Sequence, residues 1–219
     1  MSYDWSVVWQ YRQALLDGLW ITILLTVLTM LVAVPGGIAL AFMRMSSSRW
    51  VSGSSAAFVE LFRNLPLILV VYWAFYVMPM VLGIEFSAFA TGLLALCLNV
   101  SAYNSETFRA GIQSIRKGQT EAAMALGFSR SQAMFRIVLP QAWRRVLPVL
   151  ASTWVSLFKD TSLVSVIAVG ELAHAAMTVR SHTFRVLEML TAMAVIYWML
   201  GYPQAKLADW IREKYKVKE

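Results

Sequence analysis

The segment from Leu19 to Phe42 holds 24 consecutive residues without a charged side chain. A helix rises about 1.5 Å per residue, so this segment can cross a hydrocarbon core about 30 Å thick with some tilt. Backbone polar groups need partners inside a bilayer, and a single segment satisfies them only as a helix. Pro35, Gly36 and Gly37 within it predict a kink or a close contact with another helix. The segment therefore predicts a chain built around membrane-spanning helices.

Composition extends this prediction to the whole chain. Hydrophobic residues make up 59% of it and charged residues 14%, with a mean hydropathy of +0.62. Soluble domains carry about 25% charged residues. We therefore expect an all-α, polytopic membrane protein that forms a single domain over residues 1–219. Five transmembrane helices are predicted at about 19–42, 65–82, 86–105, 146–170 and 186–204.

The basic residues orient these five helices in the membrane. The chain has a net charge of +7, and 15 of its 19 Lys and Arg lie in the first connection, the third connection and the C-terminal tail. The N-terminus and the other two connections share only three. Basic residues concentrate in cytoplasmic loops, so the N-terminus is predicted outside and the C-terminus inside. The first residues lack a basic segment, which argues against a cleaved signal peptide.

The third connection contains the most informative motif, EAAMALGFSRSQAMFRIVLP at residues 121–140. Helix-forming residues run to Leu126, and Gly127 supplies the left-handed position that ends a helix at low cost. Ser129 and Gln132 predict a capping box for a second helix, and Pro140 is expected to end it after Leu139. A helix–turn–helix of this kind also occurs in DNA-binding proteins. Here, however, a predicted membrane-spanning segment flanks the motif on each side. This placement argues against binding to nucleic acid.

Glu121, Ala122, Ala123, Gly127, Ile137, Leu139 and Pro140 resemble, at every fixed position, the EAA loop of permeases from binding-protein-dependent ABC importers. The resemblance implies the type I ABC importer fold, with residues 117–140 as a coupling loop. Its first helix would dock on an ATPase, and Glu121, Ala122, Ala123 and Gly127 would carry the coupling.

The same resemblance implies a set of partners. They are two ATP-binding cassette subunits, a second permease subunit (identical or related) and a periplasmic solute-binding protein, in a bacterial inner membrane. The chain contains no Gly-Lys dipeptide and therefore no phosphate-binding loop of the usual kind. We expect it to bind no cofactor itself, with ATP and Mg²⁺ used by the partner ATPase. A metal site at the two histidines, His174 and His182, is not expected, since no cysteine or carboxylate cluster accompanies them.

Polar residues inside the predicted spans mark candidate positions for a substrate pathway, because such groups usually face a cavity or the bundle interior. They fall in two groups, one at the end of the third span and one within the fourth: Asn99, Asn104 and Glu106, and Lys159, Asp160, Thr161 and Ser162. Two interpretations of Lys159 stay open. It attracts a substrate carboxylate, or it forms a structural ion pair between helices.

Two further sequence segments resemble segments of amino-acid permeases. Residues 158–163 read Phe-Lys-Asp-Thr-Ser-Leu, and residues 62–67 read Phe-Arg-Asn-Leu-Pro-Leu, with Asn-Leu where Gly-Thr is commoner in the family. The sequence as a whole is most similar to those of glutamate/aspartate permeases. The predicted function is therefore the pore subunit of an ATP-driven importer, not an enzyme. The alternatives are a membrane-anchored regulator and a membrane-embedded enzyme, for which no nucleophile–base or metal-ligand spacing occurs.

Overall fold

The protein is described here by a computed structural model covering residues 4–216. Within that range the chain forms eleven α-helices joined by short turns, and no β-strand. The helices are α1 (Ser6–Gln10), α2 (Arg12–Arg44), α3 (Arg49–Asn64), α4 (Leu67–Tyr72), α5 (Met78–Leu82), α6 (Ala88–Gln113), α7 (Lys117–Ala125), α8 (Arg130–Ala133), α9 (Leu139–Asp160), α10 (Leu172–Thr183) and α11 (Val186–Lys214).

Helices α2 and α6 pack against each other along the centre of the bundle. A Cβ atom at Gly37 would lie 2.5 Å from Asn104 Cβ, and one at Gly36 would lie 2.8 Å from Ser101 Oγ. Asn104 Nδ2 donates to the carbonyl oxygen of Ala33, two residues before Pro35, at 3.2 Å. Small residues allow helix backbones to approach this closely in membranes. The close helix contact predicted from the Pro-Gly-Gly sequence is confirmed.

A sharp corner separates α3 from α4. The two helices meet at 107°, and the residue before Pro66 is extended. Proline disfavours a helical conformation in the residue that precedes it, which ends α3 at Asn64. Beyond the corner, α4 continues through a π-helical turn at Trp73–Val77 into α5.

The helix that follows the coupling loop is continuous, which corrects one prediction. Pro140 does not end a helix; α8 passes through a π-helical turn at Met134–Val138 directly into α9. Pro140 lies inside this continuous helix, and the widened π turn before it accommodates its ring and its missing N–H. The side chain of Gln141 donates to the carbonyl oxygen of Ile137 at 2.9 Å beside this junction.

The predicted fourth span, 146–170, is also wrong as one continuous helix. The α-helix ends at Asp160 and tightens into a 3₁₀ helix, Thr161–Ile167. The hydroxyls of Thr161 and Ser162 each donate to the carbonyl three residues earlier, at 2.9 and 2.7 Å, which favours the tighter winding. Ala168 then adopts a left-handed conformation, with φ of 61°.

The connection between the predicted fourth and fifth spans forms helix α10. Glu171 caps its N-terminus by accepting from the backbone N–H groups of Ala173 and His174 at 2.8 and 2.7 Å. Tyr197 on α11 donates to the same carboxylate at 3.1 Å. Both histidines, His174 and His182, lie on this helix.

Among residues 4–216, α2 and α11 are each long and apolar enough to cross a membrane. Up to four spans result if the bent pairs α3–α5 and α8–α10 each count as one. The first and last predicted spans are thus confirmed as helices, and both helices are longer than predicted. The predicted third span lies in α6, whose polar second half lowers its hydropathy, so five spans remain a prediction.

Candidate functional site

The coupling loop is a hairpin whose turn is closed by main-chain hydrogen bonds. Gly127 has φ of +89°, in the left-handed region that favours glycine. The N–H of Gly127 donates to Met124 at 3.0 Å and that of Phe128 to Ala123 at 3.1 Å, the pair of bonds that defines a Schellman motif. On the other side of the turn, Ser129 and Gln132 form the predicted capping box.

An apolar cluster holds the hairpin against the bundle. Its members come from the ends of α6 and α9 and from the π-helical turn between α8 and α9: Ile112, Ile115, Val138 and Ala142. Phe42 at the end of α2 packs against this cluster, and its ring centroid lies 6.3 Å from that of Phe135. Arg145 adds a hydrogen bond of 2.9 Å to the carbonyl oxygen of Ser114. The loop is therefore fixed to three long helices.

The outer surface of the hairpin is exposed. Glu121 and Ala122 face outward, whereas Ala123 is buried against the hairpin. Leu126, beside the turn, is 80% exposed. Glu121 lies in the second turn of α7. A small-residue surface with an exposed apolar tip is suited to contact with another protein.

A cavity of about 640 Å³ lies between α3, α4, α6 and α9. Its lining carries one basic side chain, Arg63, and one acidic side chain, Asp160. Hydroxyls of Ser152, Thr153 and Ser156 line the same cavity from α9. It can therefore hold a small polar solute that bears both charges.

Two side chains of α6 connect this cavity to the corner between α3 and α4. Asn99 Nδ2 donates to the carbonyl oxygen of Phe62 at 2.8 Å, and the Tyr103 hydroxyl donates to that of Arg63 at 3.1 Å. These carbonyls lose their helical partners because Pro66 stops the helix. The Arg63 guanidinium lies over the Tyr103 ring at 5.6 Å, and its buried Nε has no hydrogen-bond partner.

The structure separates the residues predicted to form the substrate pathway. Asn99 and Asp160 line the cavity. Asn104 and Thr161 are fully buried between helices and do not line it. Lys159 and Ser162 are also absent from its lining, and among residues 4–216 Lys159 forms no ion pair, although it lies close enough to Asp160 to interact electrostatically.

Glu106 belongs to a cluster of charges that joins α2, α3 and α6. Its carboxylate pairs with Arg44 and, at 2.6 Å, with Arg109, while Arg63 lies 4.0 Å away. These side chains are 17–34% exposed, so the pairs are only partly desolvated. Glu106 also borders a second cavity of about 490 Å³ beside Arg145. Its contacts with Arg44 and Arg63 tie α6 to α2 and α3, whereas the pair with Arg109 lies within α6.

Sequence reasoning missed Arg63, Tyr103 and the three hydroxyl residues of α9. A signal for the hydroxyls was present, since Ser152, Ser156 and Asp160 follow one another at four-residue spacing, which places them on one face of a helix. No group of three or more His, Cys, Asp or Glu side chains able to hold a metal ion occurs in the part of the chain described.

Comparison with known proteins relates this chain to a protein family. The family described as binding-protein-dependent transport system inner membrane component matches residues 33–216. The glutamate/aspartate import permease protein GltK of Escherichia coli O157:H7 is 34% identical over 97% of this chain and 98% of its own. The arginine ABC transporter permease protein ArtQ of Haemophilus influenzae is 41% identical over 73% of this chain and 75% of its own.

Among solved structures, an amino acid ABC transporter crystallised with histidines has a chain that superposes with a TM-score of 0.91. It is 32% identical to this chain, and the alignment covers 98% of this chain and 100% of the other.

Proposed function

The chain belongs to the family of binding-protein-dependent transport system inner membrane components, and we propose that it forms the transmembrane pathway of an ATP-driven importer of amino acids. It is a multi-pass, non-catalytic permease subunit of the inner membrane. Membership of this family argues against the two alternative functions, a membrane-anchored regulator and a membrane-embedded enzyme. The observation that carries the proposal is the coupling hairpin, held firmly by α2, α6 and α9 and exposed on its outer surface.

We infer that a separate ATPase docks on this surface, at Glu121, Ala122 and the turn at Gly127, while the buried Ala123 packs beneath it. Ala122 permits close approach, and the exposed side chain of Leu126 supplies apolar contact area. The complete complex would contain two ATP-binding cassette subunits, two permease subunits and a periplasmic binding protein, with ATP and Mg²⁺ bound by the ATPases. The exposed face of the hairpin and the named relatives support this assembly.

We propose that the cavity beside Asp160 conducts the amino acid. Arg63 would face the α-carboxylate and Asp160 the α-ammonium group, a division that fits the one basic and one acidic side chain of the lining. Acidic amino acids are the proposed cargo, because the glutamate/aspartate permease aligns over nearly the whole chain. The arginine permease among the relatives makes cationic amino acids the competing cargo.

The coupling role is tested by comparing two glycines of the same loop. Gly127→Val forces a β-branched residue to a left-handed φ, at a cost of roughly 1–2 kcal/mol confined to the hairpin. Gly118→Val is the control, because a Cβ at Gly118 meets nothing within 4 Å. In proteoliposomes with the ATPase and the binding protein, we expect Gly127→Val to lose uptake and binding-protein-stimulated ATP hydrolysis, and Gly118→Val to retain both. Equal transport by the two variants would exclude the hairpin as the coupling element.

The cargo is tested in the same proteoliposomes by competition of unlabelled amino acids against labelled glutamate. We expect aspartate to compete and arginine and histidine not to compete. Uptake of arginine without uptake of glutamate would overturn the acidic assignment and leave the importer function intact.

A further inference from the structure

A second, apolar groove runs between α2, α9 and α11, with a volume of about 360 Å³. Its lining is hydrocarbon apart from one polar pair, in which the Trp154 indole N–H donates to Gln204 Oε1 at 2.7 Å. Because these two side chains hydrogen-bond to each other, the groove that remains is apolar. Along α2 the groove continues past Met30 into a further hollow of about 370 Å³ bounded by Leu31.

Helix α9 separates this groove from the solute cavity. Ser152, Ser156 and Asp160 point into the cavity, whereas Leu147 and Trp154 line the groove. At 100° per residue these two sets lie on opposite sides of the helix. The groove therefore faces away from the route of a polar solute.

The dimensions and exposure of the groove match one half of a bilayer. Trp143 and Trp154 mark its extent on α9, and eleven residues of helix rise roughly 16 Å. Half of a hydrocarbon core about 30 Å thick is about 15 Å. Leu207 in its lining is 57% exposed and Leu31 in the adjoining hollow is 65% exposed, so the groove opens outward from the bundle. An acyl chain of the leaflet next to the coupling loop has the length to fill it.

Cationic side chains lie at the end of the groove nearest the coupling loop. Arg144 is exposed and lies seven residues before Ala151, a groove residue, so both project from the same side of α9. Among residues 4–216, Arg144 has no hydrogen-bond or ion-pair partner. Lys214 on α11 lies one turn beyond Ile211, the last groove residue of that helix, and its ammonium group sits 4.6 Å from the centre of the Trp210 ring.

We propose that this groove is a binding site for a phospholipid with an anionic headgroup. The acyl chain lies along Leu147, Ala151 and Trp154, and the phosphate of the headgroup contacts Arg144. Moving an acyl chain from the bilayer into the groove exchanges one hydrocarbon surrounding for another, so the chain adds little selectivity. The positive charge at the end of the groove therefore determines which headgroup is preferred. Basic pockets between transmembrane helices bind anionic headgroups in this way. Bound lipid would fix α9 relative to α2 and α11.

The test uses the importer complex purified in detergent, stripped of lipid and titrated with phosphatidylglycerol or with phosphatidylcholine of identical chains. Native mass spectrometry counts bound lipid, and a melting curve reports stability. We expect phosphatidylglycerol to bind tightly and raise the melting temperature more than phosphatidylcholine. Arg144→Gln should weaken phosphatidylglycerol binding by about fivefold, equivalent to about 1 kcal/mol for one basic residue near the headgroups. Arg144→Lys should retain most of it.

Two variants separate this site from general attraction of lipid to a basic protein. Lys206→Gln removes a cation from the opposite side of α11 and should leave the preference unchanged. Ala151→Phe fills the groove and should abolish the tightly bound lipid. The proposal is wrong if phosphatidylcholine binds equally well, or if Arg144→Gln or Ala151→Phe keeps the full preference. It is equally wrong if Leu147→Cys cross-links between two permease copies, since a protein then occupies the groove.

Discussion

Replacing Gly37 with alanine tests the reasoning about the α2–α6 contact. The added Cβ would lie 2.5 Å from Asn104 Cβ, 3.0 Å from the Asn104 carbonyl carbon and 3.1 Å from the backbone nitrogen of Ser105. Carbon atoms pack best at about 3.5–4.0 Å, so the two helices must separate locally by roughly 1 Å. Two of the three obstructing atoms belong to backbone, which cannot rotate aside.

The free-energy cost follows from three contributions. Overpacking a tight site costs about 1–3 kcal/mol. The Asn104 Nδ2 to Ala33 hydrogen bond, already 3.2 Å long, is lost when the helices separate, and such a bond contributes about 0.5–1.5 kcal/mol. Alanine favours a helix over glycine by about 1 kcal/mol, which offsets part of the loss. We expect Gly37→Ala to lower the free energy of unfolding by about 2 kcal/mol.

The assay is equilibrium unfolding of the purified permease in mixed micelles, followed by tryptophan fluorescence. Gly201→Ala is the matched control, because it makes the same change within a helix where a Cβ meets nothing within 4 Å. Its free energy of unfolding should stay the same or rise by up to about 1 kcal/mol. Pairing Gly37→Ala with Asn104→Gly should cost less than the sum of the two changes, because the closest obstructing atom is then absent. Equal stability of Gly37→Ala and Gly201→Ala would refute the close contact.

Three further substitutions test other features by the same unfolding measurement. Ala168→Gly should stabilise the protein by roughly 0.5–1 kcal/mol by relieving the left-handed φ of 61°, and a loss of stability would contradict the strain. Glu106→Gln should lower the free energy of unfolding by about 1.5–3 kcal/mol, and by an amount near the lower figure because its partners are partly exposed. Glu60→Gln is the control and should cost much less, because the pair of Glu60 with Arg44 is 3.9 Å long. Trp154→Phe removes the bond to Gln204 and should cost about 0.5–1.5 kcal/mol, whereas no change would mean that water replaces the indole.

Sequence reasoning worked best where the determinants are local. The turn at Gly127 and the Ser129–Gln132 capping box depend on residues within six positions of one another, and both occur as predicted. Pro140 was misread because its effect depends on the winding of the preceding turn, and a π turn there has no simple sequence signal. The same holds for the end of α9, where hydroxyl groups tighten the helix.

The candidate cavity was less predictable because it is assembled from distant parts of the chain. Arg63 and Tyr103 are 40 residues apart, and Asp160 follows 57 residues later. Sequence alone identified Asp160 as a polar residue in an apolar span, but it could not show that Asn104 would be used between helices instead. Burial of a polar side chain has two outcomes, a helix contact or a cavity, and only the packing of neighbouring helices decides between them.

The unbroken helix from Arg130 to Asp160 has a mechanical consequence. Its 31 residues, at about 1.5 Å each, make a rod roughly 45 Å long. One end begins at the coupling hairpin and the other places Asp160 in the cavity. If the rod moves as one body, a tilt of about 10° at the hairpin displaces its far end by roughly 8 Å. We therefore expect the angle of the hairpin and the width of the cavity to change together.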